Sequence, residues 1–175
     1  MSETQMVLTA VGPDRPGIVQ AISSAIYESG ANIEDSRMAV LAGDFALIVL
    51  FSGSPDSVEK VTASGRDLEK KLDFNIHFRP ATPGRKEQEQ TVFSLSVIGP
   101  DQPGIVNRIS SILAENGVNV ESLESRYTAA AFSGAPLFEV RAEVALQDAA
   151  GADVLEKALG PACEDMNLSL DLKKA

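Results

Sequence analysis

The chain has one cysteine, one histidine and no tryptophan in 175 residues. A single Cys163 excludes a disulfide framework and any CxxC metal or redox site. A lone thiol also fits a reducing compartment. A single His77 removes most of the parts that Ser-His-Asp, Cys-His and His-rich metal sites need. Long apolar runs are missing too. Residues 45–51 form one of the longest, far short of the ~20 residues of a membrane span. The opening MSETQMVLTA has neither the basic start nor the apolar stretch of a secretory signal, so none is expected. Basic charge is scarce: 15 basic against 25 acidic residues give a net charge of −10. Neither half hides a basic domain. Residues 1–79 carry 7 basic and 11 acidic groups, and residues 91–175 carry 6 and 12. Direct binding to a nucleic-acid backbone needs the opposite sign. No GxGxxG, no P-loop and no metal-ligand spacing occurs, so neither cofactor nor metal is expected.

What is present is a globular composition, 44% hydrophobic and 23% charged, and an internal repeat. GPDRPGIVQAISSAIYESGANIE begins at Gly12, and GPDQPGIVNRISSILAENGVNVE begins at Gly99. The offset is 87, with 14 of 23 positions identical. Further on, Ser36-Arg37 aligns with Ser125-Arg126 at offset 89. Gly43-Asp44-Phe45 aligns with Gly134-Ala135-Pro136 at offset 91. The second copy is thus expected to hold about four extra residues around its second strand and the following turn, with the largest difference at residues 132–136. Each copy is long enough to be a small domain. Residues 1–79 and 91–175 are the expected domains. Residues 80–90, PATPGRKEQEQ, are the expected linker, because prolines, glycine and mixed charge replace apolar periodicity.

Element order repeats as well. Residues 6–11 are apolar and β-rich, as in a buried strand. Ile18, Val19, Ile22, Ala25 and Ile26 fall on one helical face, and Gly30 stands where a left-handed cap ends the helix. The second copy repeats this as Ile105, Val106, Ile109, Ile112 and Leu113, then Gly117. Two strands follow around Gly43-Asp44. Ser54-Pro55-Asp56 opens a second helix with its cap first and proline in the first turn. Phe74, Ile76 and Phe78 alternate with polar residues, as in a half-buried strand. The order β-α-β-β-α-β, twice, predicts two ferredoxin-like α+β units. Each is a four-stranded antiparallel sheet with two helices on one face. Gly160-Pro161 lies inside the last helix and is expected to kink or restart it.

The turn at residues 12–17 joins the first strand to the first helix. Its glycines let backbone approach a ligand. The helix start offers unpaired N–H groups and a positive dipole end, which suit a carboxylate. Asp14 is placed to cap the helix or to bind an ammonium group. A merely rigid, capped turn fits the same residues. Asn32 and Asn119 each follow the first helix of their copy; an amide there suits an amino-acid backbone, and equally a turn. Arg37 and Arg126 are expected to face solvent, to pair with Glu34 or Glu121, or to mark a contact surface. His77 is expected on a strand face toward solvent or a partner sheet, and Cys163 in helix packing.

At these residues the chain resembles the ACT domain, a regulatory module that binds small molecules. The motif D-R-P-G-I-V, then a helix, then N-I-E, carries the resemblance, and the second copy matches it with D-Q-P-G-I-V and N-V-E. The tandem pair resembles the glycine cleavage system transcriptional repressor family. That resemblance implies a cytoplasmic, non-enzymatic regulator that senses a small amino acid, glycine foremost, and acts through a DNA-binding transcriptional activator protein without touching DNA. It implies ligand contacts at Gly12, Asp14, Arg15, Gly17, Ile18 and Asn32 in the first copy. In the second they are Asp101, Gln102, Gly104, Ile105 and Asn119. Gln102 stands where the first copy has Arg15, so the two sites are expected to be unequal. Edge-to-edge pairing of ACT sheets makes a homodimer compatible with the sequence. The first-copy motif also resembles regulatory segments of formyltetrahydrofolate deformylases and phosphoserine phosphatases. The alternative is therefore a free-standing regulatory subunit of an amino-acid or one-carbon enzyme.

Overall fold

The computed structural model describes residues 3–82, 91–129 and 134–175. The chain divides into two compact units, Met1–Pro83 and Gly84–Ala175. Residues 83–90 of the expected linker lie outside the described residues.

The first unit runs β1 (Thr4–Pro13), α1 (Ile18–Glu28), β2 (Asn32–Leu41), β3 (Asp44–Gly53), α2 (Pro55–Leu72) and β4 (Asn75–Pro80). Its strands lie in the order β2-β3-β1-β4, and every neighbouring pair is antiparallel. Alternate residues of the central strands, Leu8 and Ala10 of β1 and Phe45, Leu47, Val49 and Phe51 of β3, turn toward the helices and are buried. Ile18, Ile22 and Ile26 of α1 and Val58, Val61, Leu68 and Leu72 of α2 close the other side. Each such side chain contributes roughly 1.5–3 kcal/mol by leaving water. Val19 departs from the expected stripe: it is 50% exposed, because it stands at the flank of the buried Ile18, Ile22 and Ile26 line.

The helix ends are set by their own residues. The Gly30 N–H donates to the Tyr27 carbonyl and the Ala31 N–H to the Ile26 carbonyl, while Gly30 sits at φ +79°. This is a Schellman ending. Gly117 and Val118 close the corresponding helix of the second unit with the same bonds, to Ala114 and Leu113. Ser54 caps α2, its hydroxyl accepting from the Ser57 N–H at 3.1 Å. The β2–β3 turn is centred on Ala42 and Gly43, both at positive φ, since Leu41 pairs with Asp44. It lies one residue earlier than Gly43-Asp44.

The second unit runs β5 (Thr91–Pro100), α3 (Ile105–Glu115), β6 (Asn119–Ala129), β7 (Pro136–Leu146), α4 (Ala149–Asp165) and β8 (Ser169–Lys174), with strand order β6-β7-β5-β8. Leu95, Val97, Ile105, Ile109, Leu155 and Leu159 form the centre of its core. Gly160-Pro161 neither ends nor restarts α4, which continues to Asp165. Pro161 removes one backbone bond, but Leu159, Ala162 and Cys163 around it are buried, and this packing outweighs the local propensity.

Pairing corrects the alignment of the copies. Asn32 pairs with Ser52 and Asn119 with Ala145; Leu41 pairs with Asp44 and Thr128 with Leu137. The offset therefore stays at 87 along β2 and β6 and becomes 93 in β3 and β7. Six additional residues, not four, fall in the β6–β7 connection alone. Residues 130–133 of that connection lie outside the described residues, so the expected difference at residues 132–136 is described only in part. Arg37 corresponds to Glu124, not to Arg126. The Ser-Arg identity that suggested an 89 offset is coincidental.

Candidate ligand site at the strand-to-helix turns

Within each unit one turn is held from three sides. The Asp14 N–H donates to the Gly43 carbonyl at 2.8 Å, tying the turn to the β2–β3 hairpin. The Arg15 Nη2 donates to the Lys71 carbonyl at 2.9 Å, tying it to the end of α2. Gly12 lies under the Phe74 ring, where a Cβ would come within 2.4 Å of a ring carbon. The second unit repeats all three struts. The Asp101 N–H points to the Pro136 carbonyl at 3.5 Å, the Gln102 Nε2 donates to the Met166 carbonyl at 2.6 Å, and Gly99 packs on Leu168.

The helices at these turns open in the same way. Gly17 and Gly104 sit at φ +95° and +96°, which glycine alone adopts easily, and neither helix has a side-chain cap. The first backbone bonds run from Ala21 to Gly17 and from Arg108 to Gly104. The N–H groups ahead of them lack a capping side chain, and no acidic residue lies in either first turn. By contrast, α2 is capped by Ser54 and α4 by Asp148. Asp14 does not cap α1, contrary to one expectation. Gly17, left-handed, occupies the cap position itself.

In front of α1 lies an open depression of about 560 Å³, lined by residues 14–20 with Ser23, Met38 and Phe45. Gly17, Asp14 and Arg15 are exposed at its rim. Ile18 is 2% exposed and belongs to the core, so only its backbone is offered to a ligand; the same holds for Ile105. Met38 and Phe45 escaped notice in the sequence because only the β2–β3 register carries them to the turn. An exposed, open depression holding N–H donors and an aspartate can receive a small zwitterion, its carboxylate on the helix dipole.

Asn32 is not brought to its own turn. It begins β2, whereas the turn adjoins the other end, where Leu41 and Pro13 both pair with Asp44. A ten-residue strand separates them by about 30 Å. Asn119 is likewise at the far end of its unit, its Nδ2 donating to the Glu121 carboxylate. All ten residues of β2 are exposed, including Met38 and Val40, and its outer edge has no strand partner among the described residues.

Arg37 and Arg126 keep exposed side chains, as one expectation had it, but pair with carboxylates other than Glu34 and Glu121. Arg37 binds the Asp35 carboxylate, and Glu34 accepts instead from the Gln5 Nε2 at 2.7 Å. Arg126 and Arg141 each donate through Nε to Glu139 at 2.7 Å. Glu139 is only 6% exposed. The hydrogen bond from Arg126 holds its carboxyl below the ordinary 4.5, against the opposing effect of burial. His77 is exposed on the strand face away from the helices. Cys163 is buried, and that burial pushes its thiol up. Among the described residues no group of three metal-ligating side chains gathers, and no helix is long and apolar enough to cross a membrane.

Comparison with known proteins agrees with this architecture. Residues 4–79 and residues 93–132 each match the ACT domain. The chain is 28% identical over 166 residues to the glycine cleavage system transcriptional repressor of Escherichia coli K12, covering 95% of this chain and 87% of that one. It is 41% identical over 71 residues to a UPF0237 protein of Methanopyrus kandleri, across 37% of this chain and 79% of the relative. The crystal structure of an unknown protein from Galdieria sulphuraria superposes with a TM-score of 0.86 at 33% identity over 99% of both chains. The chain therefore belongs to the ACT domain family and carries two copies of the domain in tandem.

Proposed function

We propose that this chain senses a small amino acid, glycine foremost, and controls transcription of glycine cleavage genes in the cytoplasm through a DNA-binding activator protein, without catalysis of its own. The observation that carries this reading is the pair of helix starts at Gly17 and Gly104. They are uncapped, glycine-opened and held in the same three-sided frame, while α2 and α4 are capped by side chains. A binding turn built from backbone and short side chains suits a ligand with little side chain of its own. The likeness to a repressor of the glycine cleavage system supports the regulatory role and the glycine pathway. The net charge of −10 supports action through a protein partner in place of direct contact with DNA.

We infer that Asn32 enters this site from a second chain, through β2 edges paired in the register centred between Ser36 and Arg37. Antiparallel pairing of the exposed β2 edge with the same edge of a second copy sets Asn32 opposite the partner's Leu41. That position adjoins the partner's Ala42–Gly43 turn, to which residue 14 is bonded. Asn32 then stands beside the other chain's turn, next to the ligand proposed there. Thermal unfolding against a panel of amino acids tests the reading. A ligand at 100 times its dissociation constant raises stability by about 2.7 kcal/mol. No shift with glycine, serine or alanine at millimolar concentration contradicts it.

A further inference from the structure

Arg15 and Gln102 differ in charge and length, yet both spend their side chains on the same task. The Arg15 Nη2 bonds the Lys71 carbonyl near the end of α2, and the Gln102 Nε2 bonds the Met166 carbonyl at the end of α4. Met166 lies two residues before Leu168, the residue packed on Gly99; Lys71 lies three before Phe74, the residue packed on Gly12. The longer arginine thus reaches one residue farther back along its helix. In both units the donor meets the carbonyl end of a helix, where a donor is favoured and the last carbonyls lack intrahelical partners.

We propose that position 15, with position 102 in the second unit, is a positioning residue and not a ligand contact. Its side chain clamps the strand-to-helix turn onto the corner between the second helix and the last strand, and so fixes the direction of the N–H groups that open α1 and α3. The proposal rests on the amino-acid-binding reading for its functional consequence, but the clamp itself does not. What the position requires is a donor of sufficient reach. A positive charge is not required, since glutamine serves in the second unit. The difference between Arg15 and Gln102 therefore does not make the two ligand sites unequal.

Two exposed-site variants separate these roles. Arg15→Met keeps an unbranched stem and removes the donor; Arg15→Gln, of the same length as methionine, removes the charge and keeps a donor. Amide hydrogen exchange on the full-length protein reads the clamp without any ligand. Arg15→Met accelerates exchange in residues 12–17 and 71–75 about fivefold, the effect of losing one hydrogen bond. Arg15→Gln leaves exchange near wild type. Calorimetry with glycine then reads the consequence: Arg15→Met binds about fivefold more weakly, and Arg15→Gln binds as wild type. Loss of glycine affinity in Arg15→Gln with exchange unchanged overturns the proposal, because the guanidinium then touches the ligand. Unchanged exchange in Arg15→Met overturns it as well. If wild type binds no amino acid, the functional reading fails, while the exchange comparison still decides the clamp.

Discussion

Gly12→Ala probes the frame around the turn most sharply. The glycine does not need a positive φ; it needs the absence of a side chain. A Cβ there lies 2.4, 2.7 and 2.8 Å from three carbons of the Phe74 ring, where 3.4–4 Å is ordinary contact. The ring has to retreat by about 1 Å. It is 5% exposed and rests against Phe45, with centroids 6.0 Å apart, and Phe45 itself pairs with Gly12 across β1 and β3. Neither ring nor strand moves independently. Overpacking of this kind costs about 1–3 kcal/mol, and the closed geometry places it at about 2–3. In a unit of this size each kcal/mol lowers Tm by about 4–8 °C, so the first unit's transition falls by about 8–24 °C. Gly17→Ala is the control. No atom lies within 4 Å of its Cβ, and it pays only for φ +95°, about 1–2 kcal/mol. Phe74→Leu combined with Gly12→Ala separates packing from backbone effects by a double-mutant cycle. A Gly12→Ala protein within about 0.5 kcal/mol of wild type, or strict additivity in the cycle, would refute the close packing of turn and corner.

Three further outcomes follow from the charges and the thiol. Because the folded carboxyl of Glu139 titrates below the ordinary 4.5, its stabilisation is complete above that value and is lost as pH falls through the lowered folded value. Glu139→Gln therefore melts below wild type at pH 7, and the gap narrows in acid; a gap constant from pH 7 to about pH 3 contradicts the ion-pair account. Cys163, buried with its thiol pushed up, reacts with a disulfide reagent on the order of 100-fold more slowly in the folded protein than in urea; equal rates contradict the packing role. The isolated chain, at net charge −10, gives no gel shift with duplex DNA at physiological salt, and salt-sensitive nanomolar binding overturns this.

The fold was legible where local chemistry repeats. Gly30 and Gly117 end helices because both copies need a left-handed residue after the same stripe, and Ser54-Pro55 announces α2 by capping chemistry. Register was less legible. Two adjacent identities, Ser36-Arg37 and Ser125-Arg126, suggest two extra residues inside the second strand, whereas the register places all six in the connection after it. Strand pairing is a long-range property, and short identities do not report it. The same limit governed the site. Residues 12–18 are contiguous, so their gathering at one helix start could be read directly. Asn32 follows closely in the chain yet lies a full strand length from that start, since α1 carries the chain away before β2 returns. Glu139, Met38 and Phe45 carry no local signal; only cross-strand neighbours reveal them. The bond from Arg15 to Lys71 spans 56 residues and carries no local signal either.

Calorimetric titration of glycine into wild type and into Asn32→Ala tests the central claim most directly. Asn32 is exposed in the chain by itself, so its removal leaves the melting temperature within about 1–2 °C of wild type when no ligand is present. With ligand, the lost amide donor and acceptor weaken glycine binding by about 1–3 kcal/mol, roughly 5- to 150-fold in Kd. Saturable heat in wild type and that loss in Asn32→Ala are the expected result. No heat from glycine, serine or alanine at millimolar concentration contradicts the account, as does a Kd unchanged by Asn32→Ala.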